Sequence, residues 1–102
     1  MEINNTQFKE LVQENKGELI IVDFFANWCG PCRMLGPVIE EVCDEHNIKL
    51  YKVNTDDNQQ LAQRNGVMAL PTVLFFRDGE EIDRFVGFRP KEAIEEILIQ
   101  YK

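Results

Sequence analysis

Apolar positions come in blocks along this chain, and their period changes from block to block. Leu19-Ile20-Ile21-Val22-Asp23-Phe24-Phe25-Ala26 is a β-branched and aromatic run, apolar on both alternating faces. It predicts a central strand over Glu18–Ala26, covered on both sides. Before it, Phe8, Leu11 and Val12 fall on one face of a short amphipathic helix, with Asn5 or Thr6 as its cap and Gly17 after its end. After it, the spacing of Leu35, Ile39, Val42 and Cys43 predicts a helix over Cys32–His46, kinked where Pro37 removes a hydrogen bond. Lys49–Asn54 reads as a second strand. Asp56 or Asp57 then caps a short helix carrying Leu61 and Ala62, which ends near Asn65-Gly66. Beyond Pro71 lies an apolar strand, Thr72–Arg77, and Asp78-Gly79 turns it into a returning strand over Ile82–Val86. Gly87 breaks that strand. Pro90 suits the first turn of a last helix, whose Ile94, Ile97, Leu98 and Tyr101 form one stripe. The order α-β-α-β-α-β-β-α is that of an α/β fold, a central mixed β-sheet flanked by helices on both faces.

Composition narrows the function. A chain of 102 residues, without linker, repeat or low-complexity stretch, makes one domain, 1–102. Its net charge of -7, with no Lys/Arg cluster, speaks against nucleic acid as a partner. No apolar run approaches the roughly 20 residues of a membrane span. Met1-Glu2-Ile3-Asn4-Asn5 lacks the basic and apolar regions of a signal peptide. Three cysteines are an odd count, which fits a reducing compartment. The expectation is a cytoplasmic, monomeric protein.

The candidate chemistry lies in Trp28-Cys29-Gly30-Pro31-Cys32, at the turn between the central strand and the helix that follows. Two cysteines three apart can close a small disulfide ring, supply two metal ligands, or pack as small core residues. A helix amino terminus favours an anion, and a thiolate is one, so Cys29, in the more open position, is the candidate reactive sulfur. A zinc site would need Cys43 and His46 beside Cys29 and Cys32. Cys43 lies eleven residues after Cys32 on one helix, about 16 Å away, whereas zinc ligands stay within about 2.3 Å of one ion. The expectation is no metal site, with Cys43 as core packing and His46 as a solvated helix-end residue. Asp23 is the polar exception in the central strand, on the face of Ile21 and Phe25. A carboxylate buried there must be paired or easily protonated. Lys52, in register with Ile48 and Leu50 on the neighbouring strand, is the candidate ion-pair partner.

Beyond the motif, Val22-Asp23-Phe24 precedes it, Pro37 follows it, and Leu70-Pro71-Thr72 and Gly87 come later. With these residues the sequence resembles the thioredoxin family over nearly its whole length. The resemblance implies the thioredoxin fold and a protein disulfide reductase. In that chemistry Cys29 attacks a substrate disulfide and Cys32 resolves the mixed disulfide. It implies Asp23 as proton acceptor for Cys32, tuned by Lys52. It implies a cis Leu70–Pro71 bond facing the cysteines, with the Leu70 backbone free to pair with an extended substrate segment. Trp28, Gly30, Pro31, Ala69, Leu70, Pro71 and Gly87, with Phe88 beside them, would form the substrate rim around Cys29. The implied partners are a thioredoxin reductase and oxidised protein substrates, with no bound cofactor. The Gly30-Pro31 interior resembles the reducing members. An intact cysteine pair together with Asp23 counts against a non-catalytic binding module. The chain departs from the family at Phe25, where many members have tryptophan, at Gly36, where alanine is usual, at Asn27, and at Phe88.

Overall fold

The computed structural model describes Met1–Lys102. Strand β1 spans Ile20–Phe25, β2 Lys49–Asn54, β3 Thr72–Arg77 and β4 Glu80–Val86. Helix α1 covers Asn5–Phe8 and runs on into a π-helical turn, Lys9–Gln13; α2 is Gly30–Glu45, α3 Gln59–Arg64 and α4 Lys91–Tyr101. The strands lie in the order β2-β1-β3-β4. β1 pairs parallel with β2 and antiparallel with β3, and β3 with β4 antiparallel. The central run therefore sits inside the sheet, as its two apolar faces require.

Each face has its own core. On one, Phe8 and Val12 from the first helix and Leu61 and Ala62 from α3 cover Ile20, Val22, Phe24 and Leu74. On the other, Leu35, Ile39 and Val42 of α2 and Ile94 and Leu98 of α4 cover Ile21, Val73 and Phe75. Asp23 points to this second face, in the same alternation as Ile21. Helices on both faces of a mixed sheet match the expectation. Asp78 (φ 54°) and Gly79 (φ 80°) form the β3–β4 turn, both left-handed, the geometry that two-residue hairpins prefer. Asp78 Oδ1 also accepts from Gly17 N at 2.7 Å, tying the end of the first helical segment to the hairpin.

Several boundaries differ from the expected ones, each for a local reason. Asn4, not Asn5 or Thr6, caps α1, because its side chain and that of Gln7 exchange bonds with each other's backbone amides at 3.0 Å. Asn58 precedes α3 in place of Asp56 or Asp57, because Asn54 Oδ1 takes Asp56 N into a turn. α2 begins two residues early, at Gly30, because Cys29 itself is the cap. It then runs through Pro37 without interruption. β1 is shorter than Glu18–Ala26, and β4 begins at Glu80, since the tight turn lets pairing start at once. The β2 edge is capped at one point: Ile3 N donates to Lys52 O at 2.8 Å and Lys52 N to Met1 O at 2.9 Å. The β4 edge carries Glu80, Glu81, Asp83 and Arg84.

Candidate active site

β1 ends by delivering Ala26 to the turn, where Cys29 N donates to Ala26 O at 3.2 Å and Arg33 Nη1 to Asn27 O at 2.9 Å. Cys29 has extended backbone (φ −86°, ψ 113°) and caps α2, its Sγ accepting from Cys32 N at 3.3 Å. With Pro31 in the first turn lacking an N–H, the Cys32 amide is directed at that sulfur. Cys29 and Cys32 are joined as a disulfide, their Cα atoms 5.2 Å apart. Each is 5% exposed, so openness does not distinguish Cys29 as expected. Phe25 and Leu70 pack against the cluster that the two cysteines form with Ala26. What separates them is environment: Cys29 takes the helix cap, while Cys32 lines a cavity of about 230 Å³ with Phe25, Gly36, Glu40 and Lys52.

On the other side of the disulfide stands Trp28, 69% exposed. Its indole Nε1 donates to Asp56 Oδ2 at 3.1 Å. Asp56 escaped sequence reasoning, which assigned it to a helix cap; nothing in the local pattern marks a bond across 28 residues. Thr55 N and Oγ1 both donate to Phe25 O, at 2.9 and 3.2 Å, which holds Asp56 under the indole. Trp28, Ala69 and Leu70, with Thr55, Val67 and the 96%-exposed Met68, line a mostly apolar cavity of about 250 Å³. Removing the carboxylate loosens the indole while leaving the cysteines untouched. Asp56→Ala is expected to raise KM for a protein disulfide up to roughly tenfold, the worth of one charged hydrogen bond, with kcat nearly unchanged. Equal losses in kcat and KM fitness, read from insulin reduction kinetics, would contradict that positioning role.

The Leu70–Pro71 bond is cis. Thr72 Oγ1 donates to Ala69 O at 2.6 Å, and Gly87 N to Pro71 O at 2.8 Å. These bonds bring the Pro71 and Gly87 loops together. Arg89 Nη1 then donates to both Val86 O and Phe88 O at 3.0 Å, bracing the left-handed Gly87 (φ 86°). The backbone of Leu70 makes no backbone hydrogen bond of its own. Ala69, Leu70, Trp28 and the disulfide are therefore gathered around one opening, and Gly30 and Pro31 form the adjoining first turn of α2.

Asp23 is fully buried, and neither carboxylate oxygen has a hydrogen-bond partner. Loss of solvent pushes its pKa up to about 6, against a smaller opposing pull from Lys52 and with a further push from Glu40. The expected Asp23–Lys52 ion pair is not formed. The two residues are register partners on β1 and β2, yet the Lys52 ammonium lies over the Phe25 ring, 5.0 Å from its centroid. The lysine is half-buried, and its ammonium faces the aromatic ring instead of the carboxylate. Cys43 is buried in the second core, and burial together with the Asp23 charge pushes its thiol up to about 12. His46 is not simply solvated: Nε2 lies 2.9 Å from Glu95 Oε2, and Lys102 Nζ 2.8 Å from Nδ1, joining the ends of α2 and α4. No three His, Cys, Asp or Glu side chains gather into a metal-ligating group, so Cys29, Cys32, Cys43 and His46 do not converge. No helix is long and apolar enough to cross a membrane.

A disulfide at the cap of a helix that follows a central strand, ringed by apolar side chains, defines a protein thiol–disulfide oxidoreductase. The family model described as Thioredoxin matches residues 1–100. A thioredoxin of Listeria monocytogenes is 40% identical over 102 residues, covering 98% of this chain and 96% of that one. A thioredoxin of Bacillus subtilis is 44% identical over 87 residues, covering 83% and 84%. Among solved structures, Fasciola hepatica thioredoxin superposes with a TM-score of 0.88 at 40% identity, covering 97% of this chain and 95% of that one. The chain belongs to the thioredoxin family.

Proposed function

We propose that this protein works as a single domain over residues 1–102 and runs its cysteine couple in the reducing direction, on disulfides of protein substrates. The Cys29 thiolate attacks one substrate sulfur, forming a mixed disulfide and releasing the other substrate sulfur as a thiolate. Asp23 accepts the proton of the Cys32 thiol, whose sulfur attacks Cys29 Sγ. The Cys29–Cys32 disulfide closes, and the second substrate thiolate leaves and takes up a proton. Two electrons pass from the cysteine pair to the substrate, so the protein itself needs no bound cofactor. Lys52 tunes Asp23 through space. Trp28, Gly30, Pro31, Ala69, Pro71 and Gly87 form the rim on which the substrate lies, and Leu70 offers its backbone to an extended segment. A thioredoxin reductase returns the electrons, and the protein acts as a monomer in the cytoplasm.

The observation that carries this reading is the buried, unpartnered Asp23 carboxyl on the strand that leads into the disulfide. An acid held near neutral titration can accept a proton at pH 7 and pass it on. The test is insulin reduction with dithiothreitol, followed as turbidity. The protein at micromolar concentration is expected to shorten the lag severalfold over dithiothreitol alone. A lag unchanged by the protein would refute the reading.

A further inference from the structure

Asp23 and Lys52 stand side by side on neighbouring parallel strands, one buried without a partner and the other half-buried. A lysine so placed has the reach to pair with the carboxylate, but its ammonium leans along the strand to the Phe25 ring, 5.0 Å from the centroid. Phe25 lies two residues after Asp23 on the same face of β1, so the ring draws the ammonium toward the end of the strand. From the helix side, a Cβ at Gly36 would come within 3.5 Å of Lys52 Nζ. The ammonium thus occupies a slot between an aromatic face and a helix residue without a side chain. That slot opens into the same cavity that Cys32 lines.

We propose that Phe25 is a positioning residue for disulfide exchange: its ring holds the Lys52 ammonium in the cavity, clear of Asp23, and Gly36 leaves room for it. Asp23 is thereby kept as a free proton acceptor instead of a paired anion. The proposal rests on the reading of Asp23 as the proton acceptor. The groups facing that carboxyl are few. Lys52 approaches from β2, Glu40 and the neutral Cys43 from α2, and Cys32 and Arg33 line the cavity that Lys52 enters; the register partner on β3 is the apolar Val73. Lys52 is therefore the cation whose place controls the balance.

The test follows the Asp23 carboxyl directly, by carbon-13 NMR titration, and in parallel the pH profile of mixed-disulfide resolution. In Phe25→Leu the freed ammonium moves toward Asp23, and the titration midpoint is expected to fall by roughly one pH unit, with the acid limb of the rate profile moving alike. Phe25→Tyr keeps an aromatic face and is expected to restore the original midpoint. In a Lys52→Met background, Phe25→Leu is expected to shift nothing. An equal shift with and without Lys52, or no shift in either, would overturn the proposal. The unaltered protein gives a second measurement that no misfolding can spoil: ring current from Phe25 is expected to move the Lys52 ε-methylene protons upfield, and unshifted protons would also overturn it. If Asp23→Asn leaves resolution unchanged, the proton-acceptor reading fails alone, since the carboxyl titration reads the Phe25–Lys52 coupling independently of catalysis.

Discussion

Cys29→Ser is expected to reduce insulin turnover to the dithiothreitol background, a loss of roughly three orders of magnitude or more, because the nucleophile has no substitute. Its neighbour across the ring cannot take over. Cys32 lies inside the first turn of α2, lining the Lys52 cavity, and its amide is directed at the Cys29 sulfur. Cys43 is no reserve either, being buried in the second core with its thiol pushed up to about 12. Cys32→Ser should behave differently. In the proposed mechanism it keeps the attacking sulfur and removes the resolving one, so a covalent complex with a disulfide substrate should accumulate and be visible on a non-reducing gel. A complex trapped by Cys29→Ser and not by Cys32→Ser would reverse the assignment of attacker and resolver.

Asp23→Asn carries the second large effect, and it acts in opposite directions on stability and on rate. The folded-state pKa is raised from 3.8 to about 6, chiefly by burial. Below pH 4 the carboxyl is protonated in both the folded and unfolded states, and the group makes no difference. Between about pH 4 and 6 the folded state binds more protons, so stability falls as pH rises. Above pH 6 the group is ionised in both states, and the native fold carries the whole cost of a buried, unpartnered charge. A shift of about two pH units corresponds to about 3 kcal/mol. Asparagine is neutral throughout, so the variant should be more stable by about 2–3 kcal/mol at pH 7 and nearly equal to the parent at pH 4. Urea unfolding of the oxidised protein at both pH values checks this. Equal stability at both would mean that the carboxylate is solvated in the native state. Meanwhile resolution of the mixed disulfide should slow on the order of 100-fold at pH 7. The deficit should narrow in alkaline solution, where the thiol ionises without help.

Much of this was legible in the chain because it is written in local pattern. The doubly apolar run Leu19–Ala26 reads as an inner strand, and Asp78-Gly79 as a tight reversal, and both are found. The Cys29–Cys32 spacing alone left a redox pair, metal ligands and core residues open, and the resemblance carried by Trp28–Cys32, Asp23 and Leu70-Pro71-Thr72 marked the redox centre, while Cys43 sits in the core as its helical spacing suggested. The misses share another character. Lys52 leaning on Phe25, Trp28 bonded to Asp56, and His46 joined to Glu95 are choices of side-chain direction. They depend on what another part of the chain brings within reach, and periodicity carries no record of that. The equal burial of Cys29 and Cys32 is of the same kind, since Leu70 arrives from far along the sequence to pack against their cluster.

The sheet's two rims have a consequence for the company this protein keeps. A backbone that receives extended segments at Leu70, as proposed above, would be open to receiving them at its outer strands, where pairing is unproductive and self-propagating. Its outer strands discourage that. Met1 and Ile3 occupy the rim of β2 at Lys52, and a row of like and unlike charges from Glu80 to Arg84 lines the rim of β4. Strand addition is thus discouraged at both outer edges of the sheet, while the Leu70 backbone beside the disulfide is left without a backbone hydrogen bond.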